Sequence, residues 1–470
     1  SKIIRDKINH SPERRTIIMI SSIKKFLNLE SERVHASALI VGVGVFVNGI
    51  LSLFRNSLLA SFFGASHDLD VYFAAFRIPD LVFVLIITGA LSSIFIPHFS
   101  KYLNESREKA WDFTTKIING YLLFGSLLAC LLFWQMPALM HWLVPGFETE
   151  KITLAVYLAR LLLIQPILLG ISSIVSGALQ SLGKFFITSC APILYNVSII
   201  LSIFVLSPRF GIEGVVFGVL IGACLHLSLQ ILVLIWSGFH HKLRLLSLEE
   251  VGDIVRLVFP RFINVLLIQA NIILTLRFLS HLETGSIALF NLAFDLYTYP
   301  INLVVTSIIT ASYPVLARRF NTSLVEFKHL FSRTLFAILF SASAFFLLFA
   351  FFGTPIVRYI LQHGALGEVS TQKIAQILFF LSLGMVANSL LPYLVRISFI
   401  FQNTTLPLLT SILNTTLYFF LGPIFLIYYG INGIAMALSI TIWCDVILLG
   451  TLILYKLKRI CPVVKSRQNM

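Results

Sequence analysis

The chain has 470 residues, of which 57% are hydrophobic and 12% are charged, and its formal net charge is +14. Soluble globular domains have about 45–50% apolar and about 25% charged residues, so this composition excludes a soluble domain, a secreted disulfide scaffold and a disordered chain. The apolar runs are long and continuous, which predicts an all-α polytopic membrane protein rather than a β-barrel.

Twelve apolar segments are long enough to cross a bilayer as helices. They are residues 36–63, 70–98, 117–143, 153–181, 185–206, 211–237, 256–281, 285–315, 334–360, 374–400, 405–428 and 431–455. The turns between them are short and rich in Gly, Pro and Ser. We therefore expect about twelve transmembrane helices.

The distribution of Lys and Arg predicts the orientation of these helices. With the N-terminus in the cytoplasm, 23 of the 35 Lys and Arg residues lie in cytoplasmic segments and four lie in outer loops. This predicts that both termini are cytoplasmic and that the positive charge faces anionic lipid headgroups rather than nucleic acid. The basic residues 1–35 are equally compatible with an amphipathic helix on the membrane and with a disordered tail.

The two halves of the chain resemble each other at an offset of about 217 residues. The matching pairs are Asn48 with Asn264, Arg55 with Asn271, Pro97 with Pro314, and Gly211 with Gly430. Six segments per half make the repeats parallel, which is typical of transporters with two lobes around a central cavity; chance similarity between apolar sequences is the alternative. The predicted units are an N-terminal lobe (36–237), a cytoplasmic linker (238–255), a C-terminal lobe (256–455) and a basic cytoplasmic tail (456–470).

Charged residues inside the first two segments are candidate functional residues, because charge is costly inside a bilayer. Asn48 and Arg55 lie on one helical face, and Arg77 lies at a similar depth in the second segment. Two neighbouring guanidinium groups repel each other unless they share an anion, and guanidinium suits bidentate binding of phosphate. This predicts an anion site. The alternative is that Arg77 pairs with Asp80 or Asp70 while Arg55 reaches outward to the interface.

The C-terminal half carries polar side chains that line either the cavity or a helix contact. Asn271 lies in segment 256–281, and Asn291 and Asp295 lie one turn apart in segment 285–315. Asp295 is near mid-membrane, and we expect Arg55 or Arg77 to be its partner across the cavity. Asp445, deep in the last segment, and Asp70 are candidates for ion coupling, by a proton or a cation.

Two further kinds of residue carry structural predictions. Arg160, Arg277 and Arg396 lie nearer to segment ends, where snorkelling toward the interface is expected. Pro79 and Pro300 occupy matching segments of the two halves and predict helix kinks.

No enzyme or cofactor signature is present in the sequence. There is no Walker loop, so ATP is not expected to be the direct energy source. The five cysteines are odd in number and include no CxxC pair, which indicates neither a disulfide framework nor a metal site. We expect a transporter without a cofactor.

Three stretches of the first half resemble the MurJ/MviN lipid II flippases of the multidrug/oligosaccharidyl-lipid/polysaccharide exporter superfamily. They run from Arg55 to Gly64, from Asp70 to Pro79 and from Gly89 to Pro97. The second half agrees at Phe290-Asn-Leu-Ala, at Tyr299-Pro300 and from Arg396 to Pro407. The resemblance covers roughly residues 36–455.

This resemblance implies alternating-access export of lipid II, the undecaprenyl-diphosphate-linked peptidoglycan precursor, across the bacterial inner membrane. It implies that cationic cavity residues meet the diphosphate, with Arg55, Asp70 and Arg77 at matching positions. It also suggests cell-wall synthesis proteins as partners, besides membrane lipids. Two departures stand out: Asp295 replaces a family arginine, and many members have fourteen spans. A polysaccharide-lipid flippase, a cation-coupled multidrug exporter and a membrane scaffold are the alternatives.

Overall fold

The structure, a computed structural model, describes residues 34–86 and 95–468, without the side chains of residues 34–38, 248, 253–264 and 458–468. All regular elements in this part of the chain are helices, which confirms the all-α fold class. The basic N-terminal segment, for which an amphipathic helix and a disordered tail were the two expectations, and the side chain of Asn264 lie outside the described residues.

The helices of the N-terminal half follow the apolar segments. They are α1 (Val34–Phe63), α2 (His67–Ile86), α3 (Ile96–Glu105), α4 (Arg107–Leu143), α5 (Thr149–Leu162), α6 (Ile164–Ser181), α7 (Phe185–Val205) and α8 (Ile212–Trp236), with one helical turn at Ser207–Phe210. Segment 153–181 is divided between α5 and α6. Pro166 follows the division, and proline removes the N–H that would bond to Leu162 O.

The C-terminal half is also helical throughout. Its helices are α9 (Leu248–Leu279), α10 (Ser286–Pro300), α11 (Thr306–Thr322), α12 (Leu324–Leu361), α13 (Glu368–Ser382), α14 (Met385–Ile400) and α15 (Thr405–Gln468). A π-helical turn (Ile301–Val305) follows Pro300, whereas α2 continues past Pro79 as an α-helix. Gly430 divides α15 with φ 58° and ψ −139°, at the predicted turn between segments 405–428 and 431–455.

Eight helices of the described residues are long and apolar enough to cross a membrane, or nine if α13 and α14, bent by 45°, form one span. This number counts residues 405–457 once, although Gly430 divides them. The polytopic character is therefore clear, and the number of twelve spans stays a prediction.

Most close packing lies within each half of the molecule. In the N-terminal half, α7 packs against α1 and α8, and in the C-terminal half, α15 packs against α9 and α14. Gly218 and Gly222 let α8 approach α7 closely, because a Cβ atom at either position would collide with Ser202 or Tyr195. Fewer helices join the halves: α10 contacts α1 and α2, α9 contacts α2 and α4, and α12 contacts α1.

The halves meet in hydrogen-bonded contacts at the end of the molecule that is predicted to be outside. Ala365 N donates to Ser61 O at 2.7 Å. Gly285 has a φ of +94°, and a Cβ atom there would lie 2.4 Å from Ala65 O. Only glycine combines this backbone conformation with this close approach. These contacts close the predicted outer end.

The predicted linker 238–255 is held to α4 at its far end. Ser247 and Glu250 form a capping box at the start of α9, and Lys116 Nζ donates to Glu250 Oε1 at 2.9 Å. The Ser247 N–H and then the Lys116 ammonium group hold the pKa of the Glu250 carboxyl below its usual value. The end of the linker and the start of α9 are therefore attached to α4 of the N-terminal half.

Candidate functional site

A polar face of α10 meets α1 and α2 between the two halves. Asn291 and Asp295 lie one turn apart on α10. Arg77 NH2 donates to Asn291 Oδ1, and Asn56 Nδ2 donates to Asp295 Oδ2 at 2.7 Å. The structure thus brings together residues that the sequence places in different halves. The hydrogen-bond partner of Asp295 is Asn56 rather than either expected arginine.

Arg55 is held by neutral oxygen atoms. Its NH1 donates to Asn196 Oδ1 at 2.9 Å, and its Nε and NH2 donate to Asn56 Oδ1 at 3.2 and 3.1 Å. NH2 also lies 3.3 Å from Ser52 Oγ. Asn196 Nδ2 in turn donates to Asn48 Oδ1 at 2.8 Å. These contacts hold the Arg55 guanidinium between α1 and α7 of the N-terminal half.

Neither arginine is neutralised by a directly bonded carboxylate. Among the described residues, no ion pair within 4 Å includes Arg55 or Arg77. Arg77 Nε is buried and has no acceptor among the residues that the structure describes. Asp80, the alternative partner of Arg77, acts on it electrostatically without forming an ion pair. Such donors are suited to an anion, because hydrogen bonds between guanidinium and phosphate are charge-assisted.

Asp70 lies away from these arginines, where it caps α10. Its Oδ2 accepts from Gly285 N at 2.7 Å and its Oδ1 accepts from Ala288 N at 2.8 Å. Lys151 Nζ lies 3.2 Å from Asp70 Oδ2 and also donates to Thr284 Oγ1 at 3.1 Å. The Asp70 and Lys151 side chains are 2% and 8% exposed. This buried pair joins α2, α5 and α10, and the predicted coupling role of Asp70 stays a prediction.

A cavity of about 260 Å³ in the C-terminal half is lined by Arg77, Asn271, Asn414 and Asp445, among others. Asn414 Nδ2 donates to Asp445 Oδ2 at 3.1 Å, and Asn271 Nδ2 donates to Asn414 Oδ1 at 3.3 Å. Asp445 Oδ1 and Asn271 Oδ1 are buried without a hydrogen-bond partner among the described residues. Unpartnered buried oxygens next to a carboxylate suit a proton or a hard cation.

Three polar residues at these sites were not predicted from the sequence. Asn196 and Asn414 are amides within apolar segments, and that contrast was the available signal. Lys151 lies near the start of α5 and was counted as an outer-loop cation. Nothing in the sequence around Lys151 indicates that its side chain is buried against Asp70.

All three peripheral arginines stack on aromatic rings, and the Arg396 guanidinium lies 5.7 Å from the centre of the Tyr313 ring. The Arg160 guanidinium lies 4.5 Å from the centre of the Phe133 ring, and that of Arg277 lies 5.6 Å from the centre of the Trp142 ring. Arg277 NH1 also donates to Trp142 O. Because α4 and α9 belong to different halves, Arg277 does more than snorkel and joins the halves, whereas the partner of Arg160 among the described residues is Phe133 of its own half.

The sequence model described as the lipid II flippase MurJ family matches residues 59–467. The probable lipid II flippase MurJ of Borreliella burgdorferi is 27% identical over 431 residues, which cover 89% of this chain and 83% of that protein. The lipid II flippase MurJ of Thermosipho africanus is 28% identical over 406 residues, which cover 86% of this chain and 82% of that protein.

Solved structures give the same relationship. A structure described as lipid II flippase MurJ in an inward closed conformation matches with a TM-score of 0.75 at 26% identity, over 87% of this chain and 86% of that one. An inward-facing multidrug resistance MATE transporter matches with a TM-score of 0.69 at 15% identity, over 94% of this chain and 98% of that one. The second match shows a common fold.

Proposed function

The chain belongs to the MurJ family of lipid II flippases, and from this membership we propose that it moves lipid II from the inner to the outer leaflet of a bacterial cytoplasmic membrane. The protein is accordingly a membrane transporter and not an enzyme. We place both termini in the cytoplasm, with lobes at 36–237 and 256–455, on the strength of the Lys and Arg distribution and the internal repeat.

We propose that Arg55 and Arg77 bind the diphosphate of the substrate, and that Asn48, Asn271, Asn291 and Asp295 are polar residues of the cavity around it. One observation supports this assignment: both guanidinium groups bond to neutral oxygens, and within the described part of the chain Arg77 Nε has no acceptor. A phosphate oxygen would gain charge-assisted hydrogen bonds without first displacing a bound carboxylate.

Alternating access requires contacts between the halves that can open and close. At the predicted outer end these are the backbone contact of Ala365 N with Ser61 O, and the bonds of Asp70 to Gly285 and Ala288 and of Lys151 to Thr284. We propose that substrate enters from the cytoplasmic side while these contacts hold, and leaves after they break. Cell-wall synthesis proteins are the expected receivers of the exported lipid.

We propose that Asp445 couples transport to an ion. Its Oδ1 and that of Asn271, which have no hydrogen-bond partner among the described residues, are oxygen ligands at the same cavity. A single carboxylate with neutral oxygens balances the charge of a proton or one monovalent cation. Asp70, with both oxygens bonded to backbone N–H groups, is the weaker candidate for this role.

The direct test is rescue of a flippase-depleted bacterial strain by Arg55 variants. Arg55→Ala removes charge-assisted bonds worth about 1.5–3 kcal/mol each, so rescue should fail at wild-type membrane levels. Arg55→Lys keeps the charge but loses the planar fork, so rescue should be strongly reduced. Arg160→Ala, which removes an arginine whose partner among the described residues is Phe133 of its own half, is the matched control and should rescue. Full rescue by Arg55→Ala would refute the anion site.

A further inference from the structure

Two positive and two negative side chains lie together where α10 meets α1 and α2: Arg55, Arg77, Asp80 and Asp295. The charges of both arginines act on Asp295. Asp80 is one turn from Arg77 on the same helix, so the two move together in any rearrangement of the halves. Asp295 is the carboxylate of this group that comes from the other half.

Asn56 connects Asp295 to Arg55. The amide oxygen of Asn56 accepts from Arg55 Nε and NH2, and its amide nitrogen donates to Asp295 Oδ2. Asn56 is 4% exposed, so water does not replace these bonds. Because the amide oxygen and nitrogen point in opposite directions, Asn56 can face a cation on one side and an anion on the other. Asp295 is therefore linked to Arg55 through Asn56, without forming an ion pair with either arginine among the described residues.

A guanidinium group without a counter-charge is costly in a membrane interior. A carrier that has released an anionic substrate must still return to its starting state with the same arginines. If nothing replaced the anion, that return would expose uncompensated positive charge to a low-dielectric environment. An internal carboxylate that approaches only when the halves close would lower this cost.

We propose that Asp295 is the counter-ion of the empty carrier: through Asn56 it supplies the negative charge that the substrate diphosphate supplies in the loaded carrier. This inference rests on the proposed function, because it takes the ligand to be a diphosphate. Asp295 then competes electrostatically with the substrate and holds the two halves together in its absence. It is a positioning residue, and it does not bond to the transported molecule.

The test uses Asp295→Asn, which removes the charge but keeps an oxygen that can accept from Asn56. Inorganic pyrophosphate is the anion probe, and its affinity is measured by calorimetry on the purified full chain. Removing the competitor should tighten pyrophosphate binding about fivefold to tenfold, within the usual range of coupling between two sites. Asp295→Glu, which keeps the charge, and Asp68→Asn, which removes an exposed carboxylate next to His67, should bind like the wild type.

A second measurement needs no anion. Ser286 is 8% exposed at the closed outer end, so Ser286→Cys in a cysteine-free background reports opening of that end by its rate of maleimide labelling. Asp295→Asn removes the attraction between the Asp295 carboxylate and the arginines of the other half. Labelling of the empty carrier should therefore be several-fold faster in this variant. Asp295→Glu and Asp68→Asn should again match the wild type.

The outcomes separate the two proposals. Weaker or unchanged pyrophosphate binding by Asp295→Asn, with wild-type affinity measurable, would overturn the counter-ion role. If pyrophosphate binds to none of the proteins, the diphosphate site is contradicted and the labelling rate alone decides. Faster labelling would then still support Asp295 as the counter-ion, and unchanged labelling would reject it.

Discussion

At the scale of single residues, the site depends on asparagine side chains that orient charged ones. Asn196 and Asn56 hold the Arg55 guanidinium, and Asn291 accepts from Arg77. A carboxylate in these places would neutralise the arginines permanently, whereas an amide oxygen fixes their orientation and leaves the charge available. Asparagines also lie next to Asp445, where Asn271 donates to Asn414 and Asn414 donates to the Asp445 carboxylate.

Asp445→Asn should abolish the dependence of the melting temperature on the coupling ion. Occupation of a site that the unfolded chain lacks stabilises a protein by about 2.7 kcal/mol at one hundred times the dissociation constant. The wild type should therefore melt at a higher temperature in sodium chloride than in choline chloride if the ion is sodium. If the ion is a proton, its melting temperature should depend on pH instead. In both cases Asp445→Asn should lose the dependence.

The control for this measurement is Asp68→Asn, since Asp68 is exposed and pairs with His67 on the surface. It should keep the full response of the wild type. A response that survives in Asp445→Asn would place the ion elsewhere, and the two unpartnered oxygens of the cavity would need another explanation.

At the scale of elements, α10 is the helix of the C-terminal half that contacts both α1 and α2 of the N-terminal half. Its N-terminus is capped by Asp70 from α2, and its polar face bonds to Arg77 and Asn56. Its C-terminal end continues into the π-helical turn after Pro300. π-Helical turns occur frequently at functional positions in helices. A movement of α10 would therefore change the outer closure and the arginine site together.

Lys151→Met should destabilise the closed state markedly. The substitution leaves the Asp70 carboxylate buried at 2% exposure without its ammonium partner, and breaking a buried pair in this way costs about 3–5 kcal/mol. The two backbone N–H groups that still bond to Asp70 place the expected cost at the lower end of that range. The measurement is the melting temperature of the purified protein.

Two variants make this prediction specific. Asp70→Asn combined with Lys151→Met should cost less than the sum of the two single changes, because the charges are removed together. Lys109→Met breaks an exposed pair between Glu105 at the end of α3 and Lys109 at the start of α4 and should change the melting temperature very little. Equal changes in melting temperature for Lys151→Met and Lys109→Met would show that the buried pair contributes no more to stability than the exposed one.

At the scale of the whole molecule, the direction of transport depends on which end faces the cytoplasm. Glu150 lies at the predicted outer end and Lys109 at the predicted cytoplasmic end, and both are exposed. With cysteine-free protein in whole cells, Glu150→Cys should react with a membrane-impermeant maleimide, and Lys109→Cys should react only after permeabilisation. Labelling of both from the same side of the membrane would contradict the predicted topology and the proposed direction of export.

The sequence by itself determined the class of the molecule and the positions of most helices. Continuous apolar segments can only be stable in a bilayer as helices that satisfy their own backbone hydrogen bonds, so the segment ends agree with the observed helices to within a few residues over much of the chain. Gly430, for example, separates two helices where a turn was predicted. Arg55, Arg77, Asn291 and Asp295 were also candidates from the sequence, because polar side chains are conspicuous in such segments, and their role in binding stays a prediction.

Only the tertiary structure decided which of these side chains meet. The partner of Asp295 is Asn56 and not an arginine, and the partner of Asp70 is Lys151 from a different helix. Helical spacing gives the face on which a residue lies, but a contact between helices depends on their rotation, depth and crossing angle. Those quantities are set by the packing of many apolar side chains at once, and no local segment of the sequence contains them.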